Sequence, residues 1–223
     1  MPTSDPQNIS PIVSILHALA PKSVLEIGCG FGKYGALMRE YLDVWHGRVQ
    51  RAEWQTRIEA IEGFPGYRSP LWDAFDCVHI GDARQVLATL GHFDVVLIAD
   101  VIEHLEHSDA RALTTEALEH ADMLIISTPK DFYPQQESSG NVLQIHRCLF
   151  DARDFPPGIR LMTLPGLACN IYVASHQPLP RQALYCGDAN NVMYLRSRHR
   201  LRRLGVLAYP FSAGLRLLAR WLA

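Results

Sequence analysis

The sequence predicts a doubly wound α/β domain, Rossmann-like, with a mostly parallel sheet. Three observations carry this. Short β-rich runs alternate with helical stretches five times between residues 23 and 128. Residues 93–100, FDVVLIAD, are almost wholly apolar, as a central strand covered on both faces must be. Residues 24–35, VLEIGCGFGKYG, set a glycine-rich turn between a strand and a helix, where backbone N–H groups can meet a ligand. Such alternation implies right-handed crossovers and a sheet buried between helical layers.

The elements follow in order. Residues 10–20 predict a first helix, with Ser10 as N-cap, Pro11 at the first helical position and apolar residues at helical spacing. Residues 23–28 are the first strand and 33–42 the helix after the glycine turn. Residues 43–56 read as an insertion before a second strand at 57–62. A third strand spans 76–80 and leads into a helix at 82–90. The fourth strand, 93–100, is followed by a helix at about 108–120 and a fifth strand at 122–128. Residues 129–148 form a long polar loop, and a loop of that length in a compact domain is functional or mobile. Residues 158–164 and 169–175, linked through Leu164-Pro165-Gly166, predict a closing hairpin on the parallel sheet. The chain shows no internal repeat and no low-complexity stretch.

The 223 residues suffice for one α/β domain with a full core. With 48% hydrophobic and 20% charged residues, the composition excludes disorder for most of the chain. Cys29, Cys77, Cys148, Cys169 and Cys186 form no CxxC pair, which argues against a disulfide framework or a thiolate zinc site and for a reducing compartment. The polar start MPTSDPQNIS has no secretory character, and no apolar run is long enough to span a bilayer. A cytoplasmic location is the expectation.

Net charge is uneven. Residues 181–223 hold eight arginines against the single acid Asp188, a net +7 that leaves −9 on residues 1–180. The division predicts a domain over 1–180 and a basic extension over 181–223. The acidic body argues against a nucleic-acid partner, and the basic extension suits an anionic surface.

Residues 30–35 satisfy GxGxxG, the dinucleotide fingerprint, but that pattern alone is weak. Glu26 lies inside the first strand, two residues before Gly28, and an acid there must be paired to be tolerated. The glycine spacing from the strand end is G-x-G-x-G. The acid ending strand two, Glu62, comes later than the roughly 20 residues of the dinucleotide fold, although the insertion weakens that point. Glu62 is placed to accept two ribose hydroxyls, and Asp82, in Gly81-Asp82-Ala83, to accept from an adenine amine. Asp82 is equally a helix N-cap. A ligand with an ammonium, a ribose and an adenine meets the whole set, and S-adenosylmethionine has all three.

On these residues the sequence resembles the class I S-adenosylmethionine-dependent methyltransferases. The segments VLEIGCGFGKYG (24–35), IEAIEG (58–63), GDA (81–83), FDVVLIADVIEHL (93–105) and MLIISTP (123–129) occur in the family's order over about residues 20–176. The resemblance implies sheet order 3-2-1-4-5-7-6 with strand seven antiparallel. It implies S-adenosylmethionine as cofactor and S-adenosylhomocysteine as product. It maps Glu26, Gly28, Gly30, Glu62, Asp82 and Asp100 onto cofactor-binding positions, with Cys29 and Ala83 beside them.

The acceptor side follows strand four in Asp100-Val-Ile-Glu103-His104. In a helical turn Asp100, Glu103 and His104 would share one face. His146 ends the long loop. Three readings stay open. The first is packing beside the cofactor or capping of the next helix. The second is a general base, His104 or His146, oriented by Asp100 or Glu103. The third is a divalent metal held by Asp100, Glu103, His104 and His146. That set is similar to the ligand set of the small-RNA 3′-end 2′-O-methyltransferases, from which this chain departs by having Asp100 in place of Glu. Thus His104, His146 and Glu103 are the catalytic candidates, and a metal is not favoured. His17, His46, His79, His92 and His120 read as structural or surface residues. Trp45, Trp54, Trp72 and Tyr67 read as core packing before an acceptor wall.

The implied reaction is methyl transfer to a small-molecule or glycan acceptor at a hydroxyl. Its rivals are a metal-assisted RNA 2′-O-methyltransferase-like enzyme, a non-catalytic S-adenosylmethionine-binding partner subunit and a nucleotide-dependent oxidoreductase, the last disfavoured by Glu26. Residues 195–223 pair an arginine cluster with an amphipathic end, suited to a peripheral membrane contact or to docking on the domain or a dimer partner.

Overall fold

The structure is a computed structural model that describes residues 3–137 and 140–180. Seven strands form one sheet: β1 (Ser23–Ile27), β2 (Arg57–Glu62), β3 (Cys77–Ile80), β4 (Phe93–Ala99), β5 (Ala121–Pro129), β6 (Arg160–Pro165) and β7 (Cys169–Ser175). Their order is β3-β2-β1-β4-β5-β7-β6. The first five strands pair in parallel, and β7 runs antiparallel to both β5 and β6. The expected order and the antiparallel seventh strand are both present.

The double winding is visible in the alternation of β4. Val95 and Leu97 face a core built with Ile12, Ile15 and Leu16 of α1 (Pro6–Leu19) and with Tyr34, Met38 and Leu42 of α2 (Lys33–Leu42). Val96 and Ile98 face the opposite core, closed by Ala110, Leu113, Ala117 and Leu118 of α4 (His107–Glu119). A strand apolar on both faces is therefore required at the centre. The predicted helix 82–90 is shorter than expected: α3 covers Ala83–Val86 and passes into a 3-10 turn at Leu87–Thr89.

The start of α1 differs from the reading at Ser10 and Pro11. The helix begins at Pro6, the Asp5 side chain accepts from the Gln7 N–H as N-cap, and Pro11 lies inside. Asp5-Pro6 uses the same cap-then-proline grammar five residues earlier. The carbonyl that Pro11 leaves without a partner belongs to exposed Gln7, so water can serve it.

The insertion is anchored rather than loose. Arg39 of α2 is buried and donates to Asp43, to the Thr56 and Ala74 carbonyls and to Asp76. Trp54 stacks over its guanidinium at 4.0 Å. No helix among the described residues is long and apolar enough to cross a membrane. The basic extension 181–223, its amphipathic part 195–223 and Cys186 lie outside the described residues.

Candidate active site

The chain leaves β1 through Gly28, Gly30 and Gly32, all with positive φ. Gly28 is the most constrained: at φ +76°, a Cβ would also stand 2.4 Å from Val101 Cγ2. The turn is fixed from both sides. The Gly30 N–H donates to Glu62 Oε2 at 2.7 Å, and Trp72 Nε1 donates to the Gly30 carbonyl at 2.7 Å. Trp72 thus supports the glycine turn, a role that reading it as core packing left out.

A cavity of about 380 Å³ opens at the carboxyl ends of β1, β2 and β4. In α/β sheets ligands bind there. Glu26, Gly28, Cys29, Gly30, Glu62, Asp82, Ala83 and Asp100 all line it, as does His104. Glu103 and His146 do not line it. Lys33, Asn141 and Leu143 do, and sequence reasoning missed them. Lys33 follows Gly32 directly and its position was the available signal. Asn141 and Leu143 come from the long loop, which crosses to the β2 side: Asn141 Nδ2 donates to Tyr67 Oη at 2.8 Å.

Burial governs the charges. Glu26 is 2% exposed, and its Oε2 has no hydrogen-bond partner. Burial first, then the charge of Glu62, pushes its carboxyl well above the ordinary range. Burial also raises Glu62, although N–H groups of Phe64, Gly30 and Gly63 work against the shift. Asp82 is the exposed member. It caps α3 through the Arg84 N–H and holds the Arg84 guanidinium, which keeps it below the usual carboxylate range. Arg84 also bridges to Asp109.

These residues fit S-adenosylmethionine. An orphaned buried carboxylate oxygen calls for a cationic or donor group from a ligand. Glu62 accepts from the Gly30 N–H on Oε2 and from the Phe64 N–H on Oε1, with the Gly63 N–H also acting on it, so of its four acceptor positions at least one is left for a ligand.

Asp100 does not join Glu103 and His104 on one face. It has φ +54° and precedes the 3-10 turn Ile102–His104. Its carboxylate accepts from Ser127 Oγ at 2.8 Å, from the Asp5 N–H at 2.8 Å and from Asn8 Nδ2 at 3.3 Å, so it ties α1 to β5. Burial raises its pKa, against the hydrogen bonds from Ser127, Asp5 and Asn8. None of Asp100, Glu103 and His104 caps α4, whose N-cap position is Glu106.

Glu103, His104 and His146 do come together, with one donor atom from each within 4.8 Å of the others. The two rings lie 4.9 Å apart. His104 Nδ1 meets the Ile145 carbonyl at 3.3 Å, and His146 Nδ1 meets the Tyr133 carbonyl at 3.0 Å. A carbonyl can only accept, so both protons sit on Nδ1 and both Nε2 atoms carry the lone pair. The group that orients His104 is therefore a loop carbonyl, and not the carboxylate of Asp100 or Glu103. Burial, and then His146, lower His104 to about 4. Burial, and then Asp100, raise Glu103 to about 8, and Thr128 Oγ1 donates to it at 3.2 Å. Two imidazole nitrogens and one carboxylate fit a divalent transition metal by their chemistry. Asp100, engaged elsewhere, is not part of that set.

Comparison with solved structures places this architecture. The N-terminal domain of EvdMO1, crystallised in the presence of SAH and D-fucose, superposes with a TM-score of 0.52 at 18% identity, over 78% of this chain and 85% of that one. Magnesium protoporphyrin IX methyltransferase from Synechocystis PCC 6803, with bound SAH, gives 0.54 at 16% identity, over 77% and 83%. The chain has the class I methyltransferase fold. A sugar N-methyltransferase from Streptoalloteichus sp ATCC 53650 shares the same fold at 0.53 and 14% identity, over 77% and 87%. No family model matches the chain, and no curated protein matches it in sequence. Within the class I fold, the cavity lies where β1, β2 and β4 end and the histidine pair lies on the β4 and β5 side of it.

Proposed function

We propose that the chain is an S-adenosylmethionine-dependent methyltransferase acting on a hydroxyl of a small-molecule or glycan acceptor. The observation that carries the cofactor is the buried, unpartnered Glu26 Oε2 in the wall of a cavity that also holds Glu62 at the end of β2. The cofactor, when bound, supplies an electrophilic methyl on a sulfonium. Glu26 meets its ammonium, Glu62 accepts from its ribose hydroxyls and Asp82, fixed by Arg84, accepts from its adenine. Leu143 and Asn141, from the long loop, line the cavity on the β2 side. His104 Nε2 accepts the proton that an acceptor hydroxyl loses as it attacks. A sugar acceptor is supported by analogy only, through the two sugar-related proteins among the compared structures.

A second reading rests on the meeting of Glu103, His104 and His146. These three would hold a divalent cation, which would bind acceptor oxygens and acidify a hydroxyl. The two readings differ in their response to a chelator.

Calorimetry with S-adenosylmethionine tests the cofactor. Wild type should bind in the micromolar range, with Glu62→Ala weakening it by about 1–3 kcal/mol, the cost of lost hydrogen bonds to a buried ligand. Asp82→Ala should fall at the lower end of that range, since its carboxylate is partly exposed. Affinity for NAD without affinity for S-adenosylmethionine would overturn the reading. Cofactor binding with no turnover of any acceptor would leave the partner-subunit reading.

A further inference from the structure

We propose that Lys33 anchors the carboxylate of the cofactor's amino-acid end, so that Lys33 and Glu26 together read a zwitterion. The inference rests on the cofactor reading above. Lys33 opens α2 directly after the glycine turn, and its side chain lines the same cavity as Glu26. Its ammonium donates to two uncharged oxygens, the Ser4 carbonyl at 3.0 Å and Thr3 Oγ1 at 3.3 Å. An ammonium has three N–H groups, so one remains for a ligand. Both oxygens belong to the segment before α1, and Thr3 and Ser4 also line the cavity. Asp100 holds the same segment through Asp5 and Asn8. The ammonium is therefore fixed in place before any ligand arrives, which lowers the cost of ordering it.

The charges agree with this placement. Burial pulls Lys33 below its ordinary range, while Asp100, Glu26 and Asp5 pull it up. Glu26 Oε2 stands unpartnered in the same wall. A free amino acid presents one cation and one anion on neighbouring atoms. A cavity wall with one buried acid and one half-buried amine complements both, whereas adenosine needs neither.

The test separates the amino-acid end from the adenosine. Wild type and Lys33→Met are titrated with S-adenosylhomocysteine and with 5′-methylthioadenosine, which keeps the adenosine and sulfur but lacks the amino acid. Lys33→Met should weaken S-adenosylhomocysteine by about 10- to 100-fold, as expected for a lost charged hydrogen bond, and leave 5′-methylthioadenosine within about twofold. On wild-type protein alone, decarboxylated S-adenosylmethionine should bind more weakly than S-adenosylmethionine by a similar factor. That comparison stands even if the variant does not fold. Equal losses for both ligands in Lys33→Met would make Lys33 a structural residue and overturn the proposal. Equal affinity of wild type for the decarboxylated and intact cofactors would overturn it too. If wild type bound none of these ligands, the cofactor reading itself would fall, and this proposal with it.

Discussion

His104→Ala is expected to leave the affinity for S-adenosylmethionine within about twofold of wild type and to lower turnover by about 10²–10⁴-fold, the range of a lost general base. The separation follows from position. His104 lines the cavity on the β4 side, while Glu62 and Asp82, the acids proposed to meet the adenosine, stand at the end of β2 and after β3. A group that meets only the acceptor acts on the transition state, so kcat falls and cofactor binding does not. The Nδ1 proton is committed to Ile145, which leaves Nε2 to take a proton. Burial lowers the ring to about 4, so the neutral, accepting form dominates through the neutral range. A base role therefore predicts a rate that rises as pH climbs through about 4 and has levelled off by about pH 6. It also predicts indifference to chelator. A metal role predicts loss of activity with chelator, recovery with added divalent ion and an equal fall for His146→Ala. Turnover of an identified acceptor unchanged in both variants would leave these histidines as packing.

The sequence places the glycine turn and Glu62 on the cavity and groups Glu103, His104 and His146, which the fold brings together, but it misplaces Asp100, and particular residues say why. Gly28 and Glu62 obey local grammar. A positive φ at a strand-to-helix turn asks for glycine, and an acid at the carboxyl end of a strand sits where α/β sheets bind their ligands. The acceptor side depends on choices made across the fold. Helical spacing grouped Asp100 with Glu103 and His104, but Ser127 of β5 and the start of α1 claim its carboxylate. The same contact decides α1. Ser10-Pro11 and Asp5-Pro6 are both sound helix starts, and the tertiary bonds of the segment, from Asp5 and Asn8 to Asp100 and from Lys33 to Ser4, favour the earlier one. His146 reaches His104 because the Glu103 carbonyl accepts from both Arg147 and Cys148 and so draws the end of the loop onto the turn after β4. No spacing in the sequence encodes that pairing. Lys33 was visible, adjacent to Gly32, but its use depends on the placement of exposed Thr3 and buried Ser4 beside it.

Arg39→Met is expected to destabilise the domain by about 3–5 kcal/mol in equilibrium urea unfolding, the usual effect of removing one partner of a buried ion pair. Asp43 is fully buried, and Arg39 Nη1 meets it at 2.6 Å. Arg48 and the Gln55 N–H also serve it. Burial alone would raise the Asp43 carboxyl, and the hydrogen bonds from Gln55, Arg48 and Arg39 more than reverse that, so its pKa is lowered. A lowered folded-state pKa contributes stability that is present above the unfolded value, near 3.9, and is lost as pH falls through the folded value. Removing Arg39 raises the folded value, so the acid unfolding midpoint of the variant should move to higher pH. Arg48→Met is the graded control, since that side chain is 25% exposed and its loss should cost less. The damage should also reach the cavity. Arg39 holds the Ala74 carbonyl, and the same short helix carries Trp72, whose indole supports Gly30. Reduced cofactor affinity in Arg39→Met, measured under conditions where the variant is still folded, is therefore part of the expected result. A loss of stability below about 1 kcal/mol, typical of exposed pairs, would mean that Arg48 and the backbone donors satisfy Asp43 on their own.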